Sequence, residues 1–253
     1  MDQITNNFSE TGYLILKNFL SEGEFTSLKR EVENYEAKAQ EKNMWMNYYE
    51  AVEGSKLLNR IENLSPYSRV IHNLTRDKRL HALMTSLTGS HYSLLKDKIN
   101  FKRPGGRGFK PHQDGAAFSK FTRKEILTVL IPIDHFTNSN GCFEIYNSNR
   151  IPRLMEHQNG SLEFMKLEEN RWDKVFLKQR DIMIFSGRLI HCSKNNCDSM
   201  PRRVCFFTYN DLKDGNLFDE YLNYKRTHFP PELERQGQSN LNHWTSHLSC
   251  KIL

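Results

Sequence analysis

The sequence predicts an α+β protein in which an N-terminal helical layer packs on a β-sandwich or jelly roll. Three observations carry this reading. Helical periodicity prevails over residues 20–90, short β-branched and apolar runs punctuated by Gly, Pro and Asn prevail over 91–212, and no repeat or flexible linker separates the two. The 253 residues are therefore expected to form one domain, 1–253, with residues 213–253 as a C-terminal wrap.

Taken in order, Tyr13-Leu14-Ile15-Leu16 reads as a short strand. Ser21 followed three residues later by Glu24 is a capping box, and Phe25, Leu28, Val32 and Tyr35 then share one helical face. A second helical region covers Tyr67 to Leu87, where Val70, Ile71, Leu74, Leu80, Leu83, Met84 and Leu87 recur at three and four. The strands expected after it are Leu94 to Phe101, Glu125 to Ile133, Cys142 to Tyr146, Lys174 to Leu177, Asp181 to Phe185 and Val204 to Tyr209. Beyond Leu212 the chain is polar, and Phe229-Pro230-Pro231 breaks any helix.

Composition narrows the class. With 38% hydrophobic and 26% charged residues the chain can bury a substantial core, which excludes a disordered protein. The formal charge of +6 is dispersed, with Glu and Lys interleaved from Lys17 to Lys42, so a pocket for a small anion is expected and nucleic acid is not. No apolar window is long enough for a membrane span, and Asp2 stands where a signal sequence carries basic residues, so a cytoplasmic enzyme with no membrane partner is expected. Five Cys, odd in number and without CxxC spacing, read as reduced thiols.

The chemistry concentrates in two places. In Pro111-His112-Gln113-Asp114-Gly115, His112 and Asp114 leave an extended backbone on the same face, roughly 6.6 Å apart, close enough to meet at one ion. His191 closes the apolar run that begins at Asp181. Two His and one carboxylate form a facial triad with open positions, which suits non-haem Fe(II), and zinc could use the same ligands. Arg202, heading the strand Val204 to Tyr209, can offer its planar fork to a carboxylate inside the barrel, or can belong with Arg203 to a solvated turn after Pro201.

Together these residues resemble the phytanoyl-CoA dioxygenase-like branch of the Fe(II)/2-oxoglutarate-dependent oxygenases. The resemblance runs from Phe8-x-x-x-Gly12-Tyr13 through His112-x-Asp114, Asn140-Gly141-Cys142 and Gly187-x-x-x-His191-x-Ser193 to Pro201-Arg202-Arg203. It implies a double-stranded β-helix, iron held by His112, Asp114 and His191, 2-oxoglutarate paired with Arg202 and assisted by Ser193, and O2 as oxidant. It also places Thr128 among the cosubstrate contacts. Asp at position 114 implies a hydroxylase and not a halogenase. The Pro-Gly-Ser-His turn usual in the family is replaced here by Tyr146-Asn147-Ser148-Asn149-Arg150.

On the strand before the triad, Lys98, Asn100 and Lys102 share a face opposite Ile99 and Phe101. If that face is interior, its ammonium groups call for anions; if it is an edge, they discourage aggregation. Similarity to ectoine hydroxylase implies that Lys98 and Asn100 contact 2-oxoglutarate, leaving Lys102 for the substrate. A closer resemblance, to the 2-aminoethylphosphonate dioxygenase group and its quaternary-amine relatives, rests on Asn59-Arg60-Ile61-Glu62-Asn63, Phe101-Lys102-x-Pro104-Gly105-Gly106 and Tyr224-Lys225-Arg226-x-x-Phe229-Pro230-Pro231. It implies hydroxylation of a small aminophosphonate, releasing succinate and CO2, with Lys102 and Gln113 on the phosphonate and Tyr209 or Glu62 on the ammonium. The alternatives are the same chemistry on a natural-product intermediate or free amino acid, and a zinc hydrolase. Residues 152–171 are either a lid or plain surface.

Overall fold

The computed structural model describes residues 2–235; Met1 and residues 236–253, with Cys250 and the end of the expected C-terminal wrap, lie outside the described residues. Helix α1 (Asp2–Thr11) turns at Gly12, whose φ of +80° suits glycine, into strand β1 (Tyr13–Leu16). Helix α2 (Glu22–Ala37) starts at the expected capping box: Ser21 Oγ accepts from Glu24 N–H at 3.3 Å, and the Glu24 carboxylate accepts from Ser21 N–H at 2.8 Å. Its buried residues are Phe25, Leu28, Val32 and Tyr35.

The span expected to form the helical layer also contains a hairpin, β2 (Met46–Val52) and β3 (Ser55–Glu62). Glu53 and Gly54, at φ 49° and 79°, form its two-residue turn, the left-handed pair that matches strand twist. The second helical region is two helices, α3 (Arg69–Thr75) and α4 (Lys78–Thr88), because the Asp77 carboxylate accepts from Arg79 N–H at 2.8 Å and starts a new helix. There follow β4 (Tyr92–Lys102), β5 (Phe109–His112), α5 (Asp114–Ala117), β6 (Ile126–Pro132), β7 (Phe143–Tyr146), β8 (Trp172–Val175), β9 (Ile182–Ser186), β10 (His191–Ser193) and β11 (Arg202–Asp211). The segment after Leu212 holds α6 (Phe218–His228), which stops directly before Phe229-Pro230-Pro231, the break expected there.

Pairing is antiparallel throughout. Seven strands form one sheet in the order β1-β9-β6-β11-β4-β3-β2, and four form a second, β5-β10-β7-β8. Between them Leu130, Phe143, Ile145, Met183, Phe185, Val204 and Phe206 make one core. The opposite face of the large sheet offers Ile99, Phe101, Phe207 and Tyr209 to Leu28, Val32, Ile71, Leu80 and Met84 of the helices. Fully burying each such side chain contributes about 1.5–3 kcal/mol. The fold is the expected double-stranded β-helix with a helical layer, extended by the β2–β3 hairpin. Among the described residues no helix is long and apolar enough to cross a membrane.

Candidate active site

Strands β5 and β10 are neighbours, and their register sets His112 opposite His191. Asp114, two residues beyond His112, opens α5, whose turn is tied to the β9–β10 connection by Gly115 N–H donating to Gly187 O at 2.8 Å. His112 Nδ1 lies 2.7 Å from Lys110 O and His191 Nδ1 lies 3.0 Å from Leu189 O. A carbonyl only accepts, so each Nδ1 carries the proton and each Nε2 presents a lone pair. Those Nε2 atoms stand 3.6 and 3.7 Å from Asp114 Oδ1, and the three ligand atoms fall within 4.8 Å of one another. Burial raises the Asp114 pKa, but His112, His191 and Lys98 more than offset it and hold the carboxyl well below its usual range. Burial, with repulsion from His112, pushes His191 down to about 3 despite Asp114. Neutral imidazoles beside an ionised carboxylate are the donor set that a non-haem iron site needs.

Strand β4 runs past this centre with a side chain on its inner face every second residue. Lys96 lines an outer cavity of about 500 Å³, Lys98 lines both that cavity and a smaller inner one, and Asn100 lines the inner one. His112, Asp114 and Phe109 also line both, so the triad sits at their junction. In the inner cavity Ser193, Phe206 and Arg202 surround the space next to His191. Arg202 is 2% exposed; its Nε and Asn100 Oδ1 are buried without hydrogen-bond partners. Burial pushes Arg202 down to about 10, which leaves it cationic at neutral pH. An unpaired guanidinium and an unpaired amide oxygen beside the triad fit a bound anion. Arg203 faces the other way, to Asp134 and Glu36.

The outer cavity is lined by Arg60, Lys96, Lys98 and Arg123, with Asp114 and the exposed Glu156 as its acids. Burial, with repulsion from Lys96 and Arg60, pushes Lys98 down to about 7 despite the pull of Asp114 and Glu62. Residues 154–157 and Gly160 form one wall. That wall is pinned, since His157 Nε2 accepts from Gln113 N–H at 2.9 Å and Leu162 N–H donates to Pro111 O at 2.8 Å.

Several expected roles do not survive this geometry. Lys102 sits at the far end of β4, opposite Arg202, and its Nζ bonds Ser193 Oγ at 2.7 Å and Lys194 O at 2.5 Å; the cations of β4 that reach the outer cavity are Lys96 and Lys98. Gln113 lines that cavity, but its amide donates to Arg153 O and Arg188 O and accepts from Met155 N–H, so its polar groups hold the wall and are closed to a phosphonate. Tyr209 points to the helical layer, where its hydroxyl donates to Thr75 O at 3.0 Å. Glu62 is buried between Arg60 at 3.0 Å, Lys96 at 3.2 Å and Lys225 at 3.8 Å, so it answers the chain's own cations. Burial raises its pKa, and Lys225, Lys96 and Arg60 return it to well below the usual carboxylate range. Thr128 donates its hydroxyl to Asp114 Oδ2 at 3.1 Å, orienting a metal ligand in place of the cosubstrate. Arg123 and His157 had no marking in the sequence. Lys96 shares the inner face of Lys98 and was one step of two away.

The fold and the three-ligand centre define a mononuclear non-haem metal oxygenase. The family model described as phytanoyl-CoA dioxygenase matches residues 8–204, and the chain belongs to that family. It is 31% identical over 231 residues to a 2-aminoethylphosphonate dioxygenase of an uncultured bacterium, covering 90% of this chain and 88% of that protein. It is 32% identical over 230 residues to a methylphosphonate hydroxylase of Gimesia maris, covering 90% and 87%. Among solved structures, EctD from S. alaskensis with 2-oxoglutarate and 5-hydroxyectoine superposes with a TM-score of 0.71 at 21% identity, covering 85% of this chain and 77% of that one. The protein is an Fe(II)/2-oxoglutarate-dependent dioxygenase, with O2 as its oxidant.

Proposed function

We propose that the protein hydroxylates the carbon next to phosphorus in a small phosphonate. The observation that carries this is the outer cavity, lined beside the triad by Arg60, Lys96, Lys98 and the exposed Arg123, with the exposed Glu156 as its one acid besides Asp114. A doubly charged head group balances such a wall, because one buried carboxylate, Glu62, is shared among Arg60, Lys96 and Lys225. The names of two relatives, an aminoethylphosphonate dioxygenase and a methylphosphonate hydroxylase, support the same class.

In this reading His112, Asp114 and His191 hold the iron. Bound iron supplies, with 2-oxoglutarate and O2, the oxidising power to replace C–H by C–OH as the cosubstrate becomes succinate and CO2. The chain does the placing. Arg202 and Ser193, with Lys98 and Asn100, hold the cosubstrate in the inner cavity; Phe109 and Phe206 keep water from it. The wall of residues 154–157 closes the substrate side.

The test is incubation of the iron-loaded protein with 2-oxoglutarate and O2 against 2-aminoethylphosphonate, methylphosphonate and a panel of free amino acids. Succinate formed in proportion to a 1-hydroxyphosphonate, or to hydroxymethylphosphonate, is the expected result. Product from an amino acid alone would overturn the reading.

A further inference from the structure

Two arginines flank the triad, and both are buried with unsatisfied donors. Arg202 lines the inner cavity. Arg60, on β3 and 3% exposed, lines the outer one, and its Nη2 is buried without a hydrogen-bond partner. An unpaired buried guanidinium nitrogen is costly, and in a residue that lines a cavity it calls for an acceptor.

The surroundings hold Arg60 ready for that acceptor. Its guanidinium lies 4.8 Å from the centroid of the Tyr48 ring, and its Nε is 3.0 Å from Glu62 Oε1. The Glu62 carboxylate also faces Lys96 and, from α6, Lys225. Glu62 is thus shared among three cations, so the group as a whole keeps surplus positive charge beside the cavity. Lys98 stands next to that group on β4, where Glu62 registers with Lys98 and Arg60 with Asn100. A planar fork with a free edge takes an oxyanion through two parallel N–H···O bonds, which a lysine cannot do.

We infer that Arg60 is the specificity-determining receptor for the substrate's oxyanion head. The inference rests on the phosphonate reading for the identity of the head group, not for the existence of the anion site. It divides the two anions by arginine: Arg202 on the cosubstrate side of the metal and Arg60 on the substrate side.

The experiment is calorimetric titration of the full-length protein, loaded anaerobically with Fe(II) and 2-oxoglutarate so that no turnover occurs. The probes are methylphosphonate, methanesulfonate and acetate; the proteins are native, Arg60→Gln and Arg60→Lys. The expected result is methylphosphonate binding weakened at least about tenfold by Arg60→Gln and partly recovered by Arg60→Lys, as for loss of a charge-assisted bidentate contact. The 2-oxoglutarate affinity should stay within about twofold of native in both variants, which separates a local role from misfolding. Methylphosphonate binding by Arg60→Gln equal to native would overturn the assignment and leave the phosphonate reading standing. Binding of methanesulfonate or acetate but not methylphosphonate, lost in Arg60→Gln, would uphold Arg60 and overturn the phosphonate reading. Equal loss of cosubstrate and probe in Arg60→Gln, or no response of the native protein to any probe, would overturn the assignment.

Discussion

The Thr128 hydroxyl donates to Asp114 Oδ2 at 3.1 Å and lies 3.3 Å from Thr208 Oγ1, so β6 reaches across to hold the carboxylate that opens α5. With Oδ2 held this way, Oδ1 is the oxygen turned toward both histidines. Thr128→Val preserves shape and removes the donor. Metal affinity should fall about 10- to 100-fold, the usual effect of losing an outer partner of a metal ligand, with little loss of stability. Titration with Fe(II) or Co(II) checks this, and an unchanged dissociation constant would count against the role.

Gln113 joins the triad strand to the cavity wall through Arg153 O, Arg188 O and Met155 N–H. Replacing it by Leu removes three hydrogen bonds, each worth about 1 kcal/mol. Amide exchange across residues 153–157 should speed up markedly while β4 and β11 stay protected, and the substrate KM should rise more than the 2-oxoglutarate KM. Exchange that does not change in the wall would show that the wall is held elsewhere.

Tyr209 supplies a contrasting case, because its hydroxyl serves Thr75 O in the helical layer and its ring meets His81 edge-on at 5.6 Å. Tyr209→Phe should cost about 1 kcal/mol of stability in denaturant unfolding and leave substrate and cosubstrate KM unaltered. A raised substrate KM would return this residue to the site.

Asp97 is buried on the outer face of β4 and accepts from Leu64 N–H at 2.6 Å and Ser65 N–H at 3.0 Å. Burial still dominates and pushes its pKa up to about 6. Between the ordinary carboxyl value and 6 the folded state therefore holds more protons than the unfolded one, so Asp97's contribution to stability falls as pH rises through that window. The stability cost of Asp97→Asn should accordingly be larger near pH 4.5 than at pH 7. Urea unfolding at both values tests it, and a cost that grows with pH would contradict the sign.

The legibility of this molecule followed the regularity of its periods. Helix α2 announced itself by Ser21 and Glu24, and the interior face of β4 by the period of two through Lys98 and Asn100. The hairpin β2–β3 was missed because its buried set includes Asn47, Glu50, Asn59, Arg60 and Glu62, polar residues whose burial depends on partners distant in sequence. The triad was visible because HxD spacing is local and His191 closes the apolar run that begins at Asp181. Tyr209 was misplaced although counting by two from Arg202 puts it with Arg203, Cys205 and Phe207 on the helical side. Lys102 was misplaced for a different reason: alternation gives the face of a side chain, but only the register against Arg202 gives its depth along the barrel.

The pairing of His112 with His191 also bears on how the protein is made. The two strands are far apart in the chain, and β10 emerges from synthesis after most of both sheets, so no nascent fragment ending before it carries a complete ligand set. Closing such distant contacts is a late and slow event in β-rich folding. Iron capture by all three ligands would thus wait until β10 has been made and has paired with β5.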